Sequence, residues 1–99
     1  EYQSQLVRQQ LTQTIERAYA DAVAARAVYQ ANVSAVDAAQ RAFDYSKARF
    51  EAGAIHAAEY NDARARLDIA LANSVRAKYD FVFKAKVLDF YQGKTITLN

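Results

Sequence analysis

The residues best suited to chemistry lie within one stretch, RFEAGAIHAAEYNDAR, residues 49–64. It holds the chain's single histidine, His56, and the acids Glu51, Glu59 and Asp62. Glu59 lies three residues after His56, but no second histidine and no Glu-x-x-His motif accompanies the pair. The pattern favours an exposed turn residue at His56 over a metal ligand and leaves a pH-sensitive contact open. We predict no metal site and no cofactor.

Catalysis has equally little support in the sequence. The acid pairs of this stretch are capable of acid and base work, but nothing around them suggests a pocket. The chain lacks a glycine-rich phosphate loop, a Gly-x-Ser-x-Gly motif and any cysteine. Its net charge is only +2, with basic and acidic residues interspersed. We therefore predict that the protein is not an enzyme and does not bind nucleic acid.

A seven-residue repeat runs along most of the chain and identifies the elements that carry this stretch. Apolar or small residues recur at alternating steps of four and three, the spacing of a helix that winds around a partner. We call these positions the seam. In the first half it comprises Leu11, Ile15, Ala18, Ala22, Ala25, Tyr29, Asn32, Val36, Ala39, Phe43, Ser46 and Phe50. In the second half it comprises Tyr60, Ala63, Leu67, Ala70, Ser74, Ala77, Phe81, Lys84, Leu88 and Tyr91.

Gly53 explains the break between the two registers. Glycine just past a periodic segment is the usual left-handed helix cap, because it adopts positive φ without a Cβ clash. The short connection that follows makes the two helices antiparallel neighbours, so Phe50 should face Tyr60 and Phe43 should face Leu67.

The second helix should end at Gly93, because the residues that follow, KTITLN, favour an extended chain. The sequence thus predicts an all-α fold: a long antiparallel helical hairpin, coiled-coil-like, with a short extended C-terminal tail. We expect a helix over about residues 4–52, a turn at 53–56, a helix over about 57–91 and a tail at 92–99.

Alanine, the most frequent residue, also fills positions outside the seam. A helix that is apolar on two flanks needs neighbours on two sides. We therefore expect residues 1–99 to be a single helical-hairpin fragment of a larger wall or bundle. Because its flanks lack partners, the isolated fragment should self-associate.

The same stretch also carries a family resemblance. Arg-Phe-x-x-Gly, followed six residues on by an acid and then by Tyr60, Ala63, Arg64 and Leu67, resembles the hairpin tip of TolC-like outer-membrane efflux proteins. The flanking segments resemble the long helices of the second repeat of these proteins, so the resemblance covers nearly the whole chain.

The resemblance implies a homotrimeric channel whose periplasmic α-barrel consists of packed hairpins. A periplasmic adaptor protein docks at the hairpin tips and connects the channel indirectly to an inner-membrane pump, for export of drugs or other substrates. This chain would be the periplasmic portion of such an outer-membrane protein. The docking positions implied are Arg49, Phe50, Gly53, Ala54, Ile55 and His56.

Two acids near the tip have a separate implied role. Glu59 and Asp62 match positions where family members place acids at the periplasmic entrance, so three copies would form a negatively charged ring. A simple helix-dipole role in the first turn of the second helix is an equally good interpretation, and both can hold. The family often has Ser or Thr where His56 stands, so His56 is a poorer helix cap.

One alternative function comes from a different class of protein. A free-standing helical scaffold, dimerising through its hairpin into a four-helix bundle, would show the same seam and the same apolar flanks.

Overall fold

The computed structural model describes the backbone of residues 2–98 and the side chains of residues 2–93. Helix α1 spans Tyr2–Glu51 and helix α2 spans Ala57–Leu98. No strand occurs in the described residues, which confirms the all-α prediction. The chain divides into two units: Val28–Ala77 form the tip unit, and Glu1–Ala27 together with Lys78–Asn99 form the base unit.

The composition accounts for two long helices. The chain has no proline, its commonest residue is the best helix former, and its two glycines lie at 53 and 93. Polar residues inside α1 are satisfied locally, as the Thr12 and Thr14 hydroxyls donate to the carbonyl oxygens of Arg8 and Gln10, 2.8 and 2.9 Å away. These side chains therefore leave the helix uninterrupted.

The tip unit is an antiparallel hairpin in which α1 reverses into α2. Its inner positions are the predicted seam, with Leu67 and Ala77 buried and most others half-buried. Asn32 places an amide in this seam, and its Nδ2 donates to the Val28 carbonyl oxygen at 2.8 Å. A polar residue at a seam position is tolerated here because its donor remains bonded within the helix.

The most buried described residues of the base unit are small. Among its described side chains, Ala18, Ala22 and Ala25 of α1 are the buried ones, between 5% and 8% exposed. Each methyl group removes little apolar area from water, so the burial contributes much less than leucines would at ~25 cal/mol per Å². What alanine offers instead is close approach of the neighbouring backbone.

The seam prediction is confirmed at every position except Phe50. In α1, the described side chains that are buried or half-buried are the predicted positions from Leu11 to Ser46, while Phe50 is exposed, at 38%. In α2 every predicted position from Tyr60 to Tyr91 is buried or half-buried, together with Ala85 and Val87. Periodicity alone therefore identified the inner face of both helices.

The C-terminal part of the prediction needs correction. We expected α2 to end near residue 91 and an extended tail to follow, but α2 continues through Gly93 to Leu98. Asn99 lies outside the described residues. Glycine inside a helix costs only about 1 kcal/mol relative to alanine, and β-branched residues cost less. A long helix continues through such residues more readily than their individual preferences suggest.

Within the part of the chain that the structure describes, no helix is long and apolar enough to cross a membrane.

Candidate functional site

The turn between the helices has the geometry that Gly53 predicted. Gly53 has φ of +76°. Its N–H donates to the Phe50 carbonyl oxygen at 3.0 Å, and the Ala54 N–H donates to the Arg49 carbonyl oxygen at 2.8 Å. This pair of bonds is a Schellman motif, which satisfies carbonyls left without partners at a helix end. The chain therefore reverses at the tip through a hydrogen-bonded turn centred on Gly53.

Helix α2 begins immediately after this turn with His56 at its cap. The His56 carbonyl oxygen accepts the N–H groups of Glu59 at 3.1 Å and Tyr60 at 3.3 Å. Glu59 is the acidic residue of the first turn, where the helix dipole favours a negative charge. The His56 side chain is exposed, as predicted for a turn residue. No group of three or more potential metal ligands occurs among the described residues.

Three aromatic rings join the two helices below the turn. Phe50 stacks on Tyr60 with ring centroids 4.8 Å apart and planes 15° apart, which confirms that these two residues face each other. Phe43 contacts the same tyrosine at 5.5 Å in a tilted arrangement. Aromatic pairs of this geometry contribute about 0.5–1.5 kcal/mol beyond the area they bury. The rings therefore fix the last two turns of α1 against the first turn of α2.

Arg49 has an aromatic partner on its own helix. Its guanidinium carbon lies 5.4 Å from the centroid of the Tyr45 ring, one helical turn earlier. This distance is within the range of a cation–π interaction. Arg49 is one of the docking positions predicted from the sequence and Tyr45 is not, although the i, i+4 spacing of the two residues indicates that they are neighbours on the helix surface.

The other charged groups near the tip differ in whether they are paired. Arg66 Nε lies 3.0 Å from a carboxylate oxygen of Asp62, and Arg41 lies 3.0 Å from a carboxylate oxygen of Asp37. Within the described residues no such ion pair involves Glu59 or Arg49. Of the two predicted entrance acids, Asp62 is therefore paired with an arginine and Glu59 is not, although both are exposed.

The structure brings all the predicted docking positions to one end of the tip unit. Residues 49, 50 and 53–56 fall within the last turn of α1 and the connection to α2, and only Ile55 among them is half-buried. At the turn itself, Ala52, Gly53 and Ala54 have small side chains and are exposed.

A family comparison decides what kind of protein carries this tip. The sequence profile of the outer membrane efflux proteins matches residues 1–93. The chain belongs to the outer membrane efflux protein family. Comparison with curated proteins and with solved structures gives no further match.

This membership sets the class of function. The family consists of transport channels and not of enzymes, and its members function as trimeric channels with adaptor proteins. Membership identifies the chain as a component of an outer-membrane efflux protein and implies an outer-membrane location. It also favours the channel over a free-standing scaffold.

Proposed function

We propose that this hairpin forms part of the periplasmic α-barrel wall of a homotrimeric efflux channel, and that its tip docks a periplasmic adaptor protein. The observation that carries the proposal is the tip itself. A Schellman turn at Gly53 and the Phe50–Tyr60 stack hold a small, exposed end in one conformation. Such an end is preorganised for docking, because little conformational entropy remains to be lost when a partner binds.

Exposed apolar side chains on the helices support the proposal that the hairpin is part of a barrel wall. Large apolar side chains remain exposed in both units, including Ile69 and Val75 in the tip unit and Tyr79 and Phe83 in the base unit. Exposed apolar residues of this number mark surfaces that neighbouring protein covers. In the proposed barrel, adjacent hairpins cover them.

Glu59 and Asp62 supply the proposed entrance ring. Both acids are exposed and follow the turn directly, so three copies would place a set of carboxylates around the channel opening. Rings of carboxylates favour cations. The ion pair with Arg66 makes Asp62 the weaker contributor of net charge, whereas Glu59 adds a full negative charge.

A charge placed at the tip tests docking. Ala54→Glu in the complete channel puts a carboxylate on an exposed residue whose backbone N–H, not its side chain, makes the turn. We expect reduced drug export and reduced copurification of the adaptor, with trimer levels unchanged. Ala54→Ser, which stays small, should retain both activities. Normal export and normal adaptor binding by the glutamate variant would contradict the docking role.

A further inference from the structure

Arg49 differs from Arg41 and Arg66 in what its guanidinium contacts. Arg41 and Arg66 each bind a carboxylate of their own helix at 3.0 Å. Arg49 instead lies against the Tyr45 ring, and no ion pair involving it occurs within the described residues. The nearest acid along the chain, Glu51, is two residues away, a spacing at which helical side chains do not face each other.

A guanidinium held against an aromatic face keeps its hydrogen-bonding capacity. Its N–H donors lie in the plane of the group, so contact with a ring leaves the donating edge available. This edge matches a carboxylate, which accepts two parallel hydrogen bonds from it. Since Arg49 makes no ion pair within the described residues, this edge remains available to a carboxylate that a binding partner presents.

Arg49, the cationic member of the Tyr45–Arg49 pair, is also part of the turn at the tip. The Arg49 carbonyl oxygen accepts the Ala54 N–H, so this residue belongs to the capping motif. The next residue, Phe50, stacks on Tyr60 of α2. The backbone of Arg49 is therefore fixed by the turn and by the aromatic stack, while the Tyr45 ring restricts its long side chain.

We propose that Tyr45 is a positioning residue that holds the Arg49 guanidinium for a bidentate pair with a carboxylate of the docked partner. The inference rests on the proposed docking function and extends it, because it names a residue outside the tip motif and the chemical group that the partner presents. Restricting a flexible arginine before binding lowers the entropic cost of forming the pair.

Affinity measurements on the complete channel test the role of Tyr45. The probe is the purified periplasmic adaptor protein of the same bacterium. Tyr45→Leu should weaken binding about two- to fivefold, the range that an exposed cation–π contact supports. Tyr45→Phe keeps the ring and should bind like the wild type. Arg49→Ala should weaken binding about tenfold or more, because it removes a charge-assisted bidentate pair.

Matched controls separate positioning from general damage. Tyr19→Leu removes a tyrosine of similar exposure, 58% against 66% for Tyr45, in the other unit. Arg41→Ala removes an arginine from the same helix, and both controls should bind normally. In the proton NMR spectrum of the isolated chain, the Arg49 δ protons should lose their ring-current shift in Tyr45→Leu and keep it in Tyr45→Phe.

The outcomes distinguish this inference from the docking proposal. Failure of the wild-type channel to bind the adaptor would overturn docking. Wild-type binding with equal affinity for the leucine and phenylalanine variants at Tyr45 would overturn only the positioning role. For the carboxylate, Arg49→Glu should abolish binding, and an acid-to-arginine substitution at the adaptor's contact surface should restore it. If no acidic position of that surface restores binding, the carboxylate assignment is wrong.

Discussion

At the scale of single residues, the two glycines show how the same amino acid serves opposite purposes. Gly53 has φ of +76° and ends a helix, whereas Gly93 lies inside α2. A Cβ added at either residue would meet no atom within 4 Å apart from the adjacent backbone. The backbone conformation alone therefore decides what a side chain at each position costs.

Replacing each glycine by alanine in the 99-residue chain should change stability in opposite directions. Gly53→Ala forces a Cβ into the left-handed region and should lower the free energy of unfolding by about 1–2 kcal/mol. Gly93→Ala should raise it by up to about 1 kcal/mol by improving helix propensity. Urea unfolding followed by circular dichroism at one fixed protein concentration measures both changes. Shifts of the same sign in the two variants would contradict the assignment of the turn.

The entrance acids offer a second test at this scale. In the proposed ring, Glu59→Gln removes net negative charge and should lower the cation preference of the complete channel, measured as the reversal potential in a salt gradient across a planar bilayer. The double variant Asp62→Asn with Arg66→Gln removes both members of an ion pair and leaves net charge unchanged. It serves as the control and should retain the wild-type reversal potential. An unaffected reversal potential in Glu59→Gln would argue for the helix-dipole role alone.

At the scale of elements, the repeat in the sequence predicted the inner face of both helices. It did not predict that α2 continues past Gly93. The alternating steps located the seam from Leu11 to Tyr91, because only one face of each helix meets the other. Gly53 located the turn, since no other residue adopts its φ so readily. The aromatic contact between Phe43 and Tyr60 was not predicted, because the prediction paired each seam residue only with the residue directly opposite. Large aromatic rings also contact residues one heptad away along the facing helix. The facing of Phe43 and Leu67 stays a prediction.

The predicted end of α2 near Gly93 was also wrong, because the helix continues to Leu98. Local preference favoured a stop, but a helix already many turns long extends without a new nucleation cost. The candidate site was predicted in its backbone features, whereas the contact between Tyr45 and Arg49 required the side-chain geometry.

Two leucines of α2, one helical turn apart, test the seam energetically. Leu67 is 8% exposed and Leu71 is 44% exposed. In the 99-residue chain, Leu67→Ala should lower the free energy of unfolding by about 2 kcal/mol or more, because it removes the one large side chain buried among the described residues. Leu71→Ala, the matched control, should cost less than about 1 kcal/mol. Thermal unfolding by circular dichroism provides the comparison, and equal costs would contradict the seam as described.

At the scale of the whole molecule, the balance of buried and exposed residues points to assembly. The buried residues of the described chain are four alanines and Leu67, and no large side chain is completely enclosed. Meanwhile Tyr79, Phe83 and Phe90 are each more than 60% exposed. Two helices with so little buried area gain most of their stability when other helices cover their flanks.

The isolated 99-residue chain should therefore self-associate, as the sequence also predicted. Sedimentation velocity at micromolar concentrations should show a concentration-dependent dimer or larger species, and Ile69→Glu should shift the distribution toward monomer by charging an exposed flank. The exposed Ala58→Glu, near the turn, controls for the added charge. A helical monomer over the whole concentration range would contradict the view that the flanks need partners.

The central claim is that the tip, and not the length of the hairpin, meets the adaptor. Site-specific photocross-linking in intact cells tests it most directly, with a benzophenone amino acid at Ile55 in the complete channel and at Tyr19, an exposed residue of the base unit, for comparison. Our account predicts an adaptor adduct from Ile55 and none from Tyr19. No adaptor adduct at Ile55, or equal adducts at both positions, would contradict it.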